Sequence, residues 1–145
     1  MTYTTTHEVR YGDIDRFGHV NHLRLLEFFE SARNPFFRDM ADFEKLPCVL
    51  DTAGFVVVRL DATFYQAVDA YASTVEVRTS VERLGESSAT LRYELWHESS
   101  LRVSATTVLV FVSDGRRDAM APVRREYLSR YLSEPGSDGV APPLI

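Results

Sequence analysis

Apolar and polar residues alternate along five stretches of the chain, as they do in strands that have one buried face. The stretches span residues 2–11, 54–65, 73–84, 88–96 and 101–112. In 54–65 the apolar set is Val56, Val58, Leu60, Ala62 and Phe64, and the polar set is Arg59, Asp61 and Thr63. Residues 108–112 are apolar at successive positions, which predicts a central strand covered on both faces.

A different periodicity marks residues 21–33, where apolar side chains such as Leu23, Leu26 and Phe29 recur at three- and four-residue steps. This pattern predicts a helix, and because apolar residues occupy more than half of its circumference we expect burial on several sides. Asn21 is suited to cap the first turn, since its side-chain oxygen can accept a backbone N–H. The pair at 34–35, Asn-Pro, should kink or end the helix, because proline lacks a backbone donor.

The turns between the last four strands are short, so neighbouring strands must be antiparallel. One long helix is available to cover their apolar faces, which favours an α+β fold with a five-stranded antiparallel sheet wrapped around that helix. We expect one domain at residues 1–133, ending in a short helix near 124–132, and a loose tail at 134–145. For residues 36–52 the sequence predicts only a further helical turn and a loop. An open sheet has two free edges, and we expect a homodimer to cover part of them.

Composition excludes several classes of protein. The chain has 145 residues, 45% of them hydrophobic, and a net charge of −5, which fits one globular domain and offers no basic stripe for nucleic acid. No apolar run approaches the ~20 residues of a membrane-spanning helix, and the first ten residues lack a secretory core, so a cytoplasmic location is expected. Cys48 is the only cysteine, which leaves no intrachain disulfide and favours a small buried apolar role.

The loop before the helix carries the candidate chemistry. Asp13 and Asp15 lie two residues apart, followed by Gly18 and the start of the helix. In one interpretation both carboxylates cap the turn or the helix, which is a common use of aspartate in loops. In the other, a carboxylate beside the helix N-terminus acts as nucleophile or general base on a carbonyl, while free N–H groups stabilise the developing oxyanion. Gly18 would let the backbone approach the ligand closely.

Other kinds of site are less well supported. His19 and His22 match no established metal-ligand spacing, so we expect no metal site. The chain has neither a G-x-S-x-G nucleophile motif nor a glycine-rich phosphate loop. The aromatic residues at 28–29 and 36–37 are typical of a core, although some of them could line an acyl pocket.

The loop and helix together resemble a family signature, D-x-D-x-x-G-H-V-N followed by E-x-A-R. Here it consists of Asp13, Asp15, Gly18, His19, Val20 and Asn21, then Glu30, Ala32 and Arg33. This is similar to hotdog-fold acyl-CoA thioesterases of the 4-hydroxybenzoyl-CoA thioesterase type, and the likeness extends over roughly residues 5–128.

The resemblance implies thioester hydrolysis at the interface of a dimer or tetramer. It implies that Asp15 supplies the catalytic carboxylate, that the His22 backbone N–H polarises the thioester oxygen, and that Gly18 belongs to the same catalytic loop. The residues expected to shape the loop or bind substrate are Asp13, His19, Asn21, Arg59 and Ser88, with Ser88 of the partner subunit near the pantetheine arm. No metal or redox cofactor is implied beyond the coenzyme A of the substrate.

The chain departs from the family pattern at two places. Gly85, Glu86 and Ser87 stand where some relatives carry a basic cluster for coenzyme A phosphates, which leaves an acyl-carrier-protein thioester open as the substrate. Leu25 stands where many relatives have tyrosine. Two other functions remain open on the same fold, a non-catalytic acyl-binding module and a hydratase or dehydratase.

Overall fold

The computed structural model describes residues 1–46, 54–134 and 142–144. The strands in these ranges are β1 (Tyr3–Glu8), β2 (Phe55–Phe64), β3 (Thr74–Leu84), β4 (Ser88–His97), β5 (Ser100–Ser113) and β6 (Arg116–Arg117). The helices are α1 (His22–Phe43) and α2 (Pro122–Ser129), and Tyr11–Asp13 forms a 3₁₀ turn. Cys48 and most of the predicted tail lie outside the described residues.

The sheet is antiparallel, with strand order β1-β3-β4-β5-β2, and β6 pairs with the end of β5. The α+β class is therefore confirmed, but the predicted count of five strands is wrong. β6 follows a tight turn in which Asp114 and Gly115 both have positive φ, and its two residues are too short to give a pattern. Leu109, Val110 and Phe111 are buried in succession, which confirms that both faces of β5 are covered there.

Helix α1 does not end at Pro35 as the sequence predicts; it continues to Phe43. Proline in a helix interior costs about 3 kcal/mol, because the carbonyl four residues earlier loses its donor. The turns after Pro35 bury Phe36, Phe37 and Met40 almost completely. Each such side chain contributes roughly 1.5–3 kcal/mol on burial, so packing outweighs the lost hydrogen bond.

Only one stripe of α1 is buried, and it consists of Leu25, Phe28, Phe29, Ala32, Phe36, Phe37, Met40 and Ala41. Phe29 stacks on Tyr93 of β4 at 5.3 Å between ring centroids, which seats this stripe on the sheet. Leu23, on the neighbouring stripe, is 59% exposed. The prediction that the helix is covered on several sides is therefore wrong for a single copy of the chain.

Strand β2 confirms the predicted strand at 54–65 but contains a β-bulge. Val57 pairs with Leu109 and Arg59 pairs with Val108, so Val58 is the extra residue. The bulge reverses the alternation before it, and Phe55 faces the helix, where its ring contacts Phe37 at 5.0 Å. Val56 is therefore not on the helix side as predicted. β2 forms an edge of the sheet, and nine of its ten residues are exposed.

Helix α2 confirms the predicted closing helix, beginning two residues earlier at Pro122. It packs against the second half of α1, where the Tyr127 hydroxyl donates to the carbonyl of Phe36 at 2.9 Å. The Arg124 guanidinium pairs with the Glu44 carboxylate at 3.0 Å, just beyond the end of α1. These contacts close the end of the core that lies away from the loop at 14–20.

Candidate active site

The loop at 14–20 is a small hairpin closed by its own backbone. Ile14 and Val20 form a β-bridge, and the Asp15 N–H donates to the carbonyl of His19 at 2.8 Å. The Gly18 N–H donates back to the Asp15 carbonyl at 3.1 Å, which makes a turn in which Gly18 has φ +79°. A side chain at this φ is strained, which explains the glycine.

A second segment holds the outer side of this loop. The Val20 N–H donates to the carbonyl of Val68, and the Ala70 N–H donates to the carbonyl of Gly18, both at 2.8 Å. His19 and Asp69 form a β-bridge between these bonds. The loop is thus fixed from two sides, and its side chains are held in place by rigid backbone.

The Asp15 carboxylate caps the hairpin with one of its oxygens. Its Oδ1 accepts from the N–H of Phe17 at 2.8 Å and from the N–H of His19 at 3.2 Å. No described residue donates to Oδ2. Asp15 is partly buried, so the turn-capping interpretation holds for Oδ1, and Oδ2 has no donor among the described residues.

The N-terminus of α1 confirms the predicted cap. The Asn21 Oδ1 accepts from the N–H of Leu23 at 2.9 Å, and the Asn21 carbonyl accepts from Leu25 at 3.1 Å. Within the described ranges, no acceptor lies in hydrogen-bond geometry to the N–H of His22, the first residue of α1. A free N–H at the positive end of a 22-residue helix favours an anionic oxygen.

A cleft of about 490 Å³ brings these groups together. It is lined by Asp15, His19, Val20, His22, Leu25, Phe64, Tyr65, Gln66, Ala67 and Leu144. The loop, the helix start and the end of β2 thus share one site, in which the His22 and Phe64 rings meet edge to face at 6.1 Å. Sequence reasoning missed Phe64, Tyr65 and Gln66, because the end of a strand carries no chemical motif and only the fold brings it to the loop.

Asp13 does not line this cleft. It is 2% exposed, and its Oδ2 accepts from the backbone N–H of Arg10 at 2.8 Å while its Oδ1 pairs with the Arg10 guanidinium at 3.4 Å. Its side chain faces a separate cavity together with Arg24. The two aspartates of the motif therefore face different cavities, and Asp13 anchors the end of β1 to the loop.

Ser88 and Arg59 also lie away from the cleft within one chain. Ser88 pairs with Val110, while Phe64 at the cleft pairs with Val103, seven residues along β5. At ~3.3 Å per residue this separation is about 23 Å. Arg59 lies on the face of β2 away from α1, where its guanidinium pairs with Asp61 at 2.6 Å.

Two further features concern only the part of the chain that the structure describes. That part contains no cluster of three or more His, Cys, Asp or Glu residues arranged to hold a metal ion. Neither α1 nor α2 combines the length and apolar character that crossing a membrane requires.

A model of the thioesterase-like superfamily matches residues 9–131. The chain belongs to the thioesterase-like superfamily. The match spans the loop, α1, strands β2 to β6 and α2. No curated protein matches the sequence.

Several solved structures have the same fold as this chain. A protein described as a predicted thioesterase of Bacillus stearothermophilus has a TM-score of 0.82 at 23% identity, over 94% of this chain and 100% of that one. A Thermus thermophilus thioesterase complexed with coenzyme A and Zn has a TM-score of 0.76 at 26% identity, over 86% and 95%. A gentisyl-coenzyme A thioesterase has a TM-score of 0.73 at 19% identity, over 88% and 99%.

Proposed function

We propose that this chain is a hotdog-fold hydrolase of acyl-CoA-type thioesters and that Asp15 supplies its catalytic carboxylate. The observation that carries the proposal is the shared cleft, where the partly buried Asp15 and the start of α1 at His22 line one cavity. Membership of the thioesterase-like superfamily supports the reaction class. A bound coenzyme A in the Thermus relative supports a CoA thioester as the substrate.

In this mechanism the thioester carbonyl lies between Asp15 and the helix N-terminus. The His22 N–H donates to the carbonyl oxygen as negative charge develops on it, and the dipole of α1 adds to that stabilisation. Asp15 Oδ2 acts from the other side, while Oδ1 stays bonded to the loop. The C–S bond breaks, the thiolate takes up a proton, and free acid and thiol leave.

Two routes use this geometry. In one, Oδ2 attacks the carbonyl carbon and forms a mixed anhydride that water then hydrolyses; in the other, Oδ2 takes a proton from the water that attacks directly. A single turnover with excess enzyme in ¹⁸O-water tests for the anhydride. Label in the Asp15 carboxylate indicates the anhydride, whereas label confined to the released acid indicates direct attack by water or attack on the acyl side of the anhydride.

We further propose that the working unit contains at least a homodimer joined at β2. This edge strand exposes Val56, Val57 and Val58 by 47%, 47% and 58%, and a long apolar edge invites pairing with another strand. Antiparallel pairing of two β2 strands about a twofold axis at their midpoint sets Phe64 opposite residue 55 of the partner subunit. Within each chain residue 55 pairs with residue 111, next to residue 110, which pairs with Ser88.

This arrangement supports the expected role for Ser88 of the partner subunit. Three strand spacings of ~4.8 Å and one step of ~3.3 Å along the strand separate Phe64 from that serine, or about 15 Å in all. An extended pantetheine arm fits this path better than the 23 Å within one chain. No metal or redox cofactor is required. Glu86, in the turn before Ser88, is acidic where some relatives carry basic residues that meet the phosphates of coenzyme A. An acyl-carrier-protein thioester is therefore the alternative substrate.

Thiol release from short, long and aromatic acyl-CoAs, followed with a thiol-reactive dye, tests the proposal. Asp15→Asn keeps an oxygen that can accept from the loop and removes only the carboxylate, so we expect a fall of ~100-fold or more with folding intact. Asp69→Asn is the matched control, because Asp69 Oδ1 caps its own turn at the N–H of Tyr71 at 3.0 Å. An unchanged rate in Asp15→Asn would refute the role of Asp15. Ligand binding without turnover, on CoA and carrier-protein thioesters alike, would instead indicate an acyl-binding module.

A further inference from the structure

The segment that follows β2 forms one wall of the candidate active-site cleft and is held firmly against β5. The backbone N–H groups of Tyr65 and Gln66 both donate to the carbonyl of Arg102, at 2.8 and 3.3 Å. The Arg102 guanidinium donates in turn to the carbonyl of Ala67 at 2.9 Å. The Tyr65 hydroxyl lies 3.0 Å from the hydroxyl of Ser104. Because successive residues are tied to one strand, a side chain carried by this segment has a defined position.

Gln66 is the residue of this segment whose side chain still has hydrogen bonds to give. It is half-buried and lines the cleft. Its Oε1 accepts from the Ser100 hydroxyl at 3.2 Å, and Ser100 does not line the cleft. The amide oxygen is therefore directed away from the cleft, and no described residue accepts from the amide nitrogen. Since that nitrogen carries two N–H groups, the donating end of the amide is the one left for an occupant of the cleft.

The polarity of this free end limits what Gln66 can do in thioester hydrolysis. A side-chain amide is neutral and is not the base that takes a proton from water. With its oxygen turned to Ser100, it presents donors rather than an acceptor to the cleft. Fixed N–H donors suit an oxygen on which negative charge develops, and the thioester carbonyl oxygen is such a group.

The position of Gln66 also fits that oxygen. Phe64, two residues earlier, meets the His22 ring at 6.1 Å between centroids, so the end of β2 lies against the first turn of α1. Asp15, His22 and Gln66 all line the same cleft of about 490 Å³. An oxyanion accepts more than one hydrogen bond, and the free His22 N–H supplies only one donor to it.

We propose that the Gln66 side-chain amide is a catalytic donor, which binds the thioester oxygen together with the His22 N–H and stabilises its charge in the transition state. The inference rests on the proposed thioester hydrolysis and adds a catalytic residue to it. No proton is transferred through the amide, and no bond to it forms or breaks. Ser100 is a positioning residue, because its hydroxyl holds the amide oxygen and thereby directs the nitrogen.

Steady-state kinetics on the acyl-CoA that wild type hydrolyses fastest tests the proposal. Gln66→Met keeps the length of the side chain and removes both donors, so we expect kcat to fall by about 100-fold while KM changes by less than ~3-fold. Ser100→Ala leaves the amide free to rotate and should lower kcat by roughly 3- to 10-fold, the effect of one hydrogen bond.

Ser104→Ala is the matched control. It removes a hydroxyl that contacts Tyr65 in the same segment and leaves the bond between Ser100 and Gln66 in place. We expect its kcat and KM to equal those of wild type. Thermal unfolding checks that each variant is folded.

The carbonyl stretch of a bound ligand reports the hydrogen bond directly. Ketone analogues of acetyl-, octanoyl- and benzoyl-CoA, in which a methylene replaces the sulfur, cannot be hydrolysed and can carry a ¹³C-labelled carbonyl. In infrared difference spectra we expect the stretch to move to lower frequency when an analogue binds wild type. Part of that shift should be lost in Gln66→Met, and none of it in Ser104→Ala.

An unchanged kcat in Gln66→Met would overturn the inference. So would a rise in KM alone, since this would place the amide on a part of the substrate that does not react. A carbonyl stretch that is the same in wild type and in Gln66→Met would also contradict it. The proposed function fails separately, when wild type releases thiol from no thioester, and a Gln66-dependent carbonyl shift would then still assign the amide to a bound acyl carbonyl.

Discussion

The buried ion pair between Arg124 and Glu44 offers a direct test of how the two helices are held together. The side chains are 7% and 4% exposed, and the Arg124 Nε lies 3.0 and 3.3 Å from the two oxygens of the Glu44 carboxylate. The guanidinium also lies over the Phe111 ring, 4.9 Å from its centroid. Arg124→Met keeps most of the apolar volume and leaves the Glu44 carboxylate buried without its cation.

Breaking a buried pair from one side costs about 3–5 kcal/mol, because the remaining charge is uncompensated. For a chain of this size, 1 kcal/mol shifts the midpoint of thermal unfolding by about 2–4 °C, so we expect a fall of roughly 6–20 °C. Arg130→Met is the matched control. Arg130 stacks on Phe43 at 4.2 Å but is exposed, and losing its cation–π contact should cost about 1 kcal/mol or less.

Urea unfolding followed by circular dichroism gives the free energies directly. The double variant Arg124→Met with Glu44→Leu should recover more than half of the loss, because replacing both partners by apolar groups removes the stranded charge. The reasoning is refuted when Arg124→Met loses less than about 1 kcal/mol, or when the double variant is no more stable than the single one. Since the pair lies away from the Asp15 cleft, thiol release below the unfolding range should stay unchanged.

Three further predictions concern the loop, the sheet edge and pH. Gly18→Ala should lose about 1–2 kcal/mol in urea unfolding, because alanine is strained at φ +79°; an equal or higher stability would contradict this. Val56→Lys with Val58→Lys should shift the proposed dimer to monomer in sedimentation velocity, since lysines block edge pairing; an unchanged sedimentation coefficient would contradict it. Stability should fall as pH rises above 10.0, the ordinary tyrosine pKa, because burial raises the pKa of three folded-state phenols and the unfolded chain ionises first. The phenols are those of Tyr3, Tyr93 and Tyr127. Phenolate absorbance should then rise together with the loss of circular dichroism, and ionisation without unfolding would be the contrary result.

The sheet was predictable from the sequence because its strands alternate cleanly and their turns are short. The continuation of α1 past Pro35 was not, since the local preference of proline was outweighed by the burial of Phe36, Phe37 and Met40. The orientation of residues 55–57, which the bulge at Val58 reverses, could not be predicted either, because three consecutive valines fit either face of the sheet equally well. Both errors arise where tertiary contacts decide between local alternatives.

The candidate site was predictable to the extent that it lies within one short segment. Asp15, His19 and His22 reach the same cleft because the hairpin leads directly into the helix. The separation of Asp13 from Asp15 depends on a 3₁₀ turn and on Arg10, neither of which a two-residue spacing reveals.

The bulge at Val58 has a consequence for insertions and deletions in β2. Because Val58 is the extra residue, its deletion would restore regular pairing and leave residues 55–57 opposite the same residues of β5 and on the same faces of the sheet. Phe55 would stay in the core beside Phe37. One more residue at this point would instead have to enlarge the bulge or turn residues 55–57 to the opposite faces. Among natural relatives and engineered libraries, a spacing between Phe55 and Leu60 that is one residue shorter should therefore be tolerated better than one that is a residue longer.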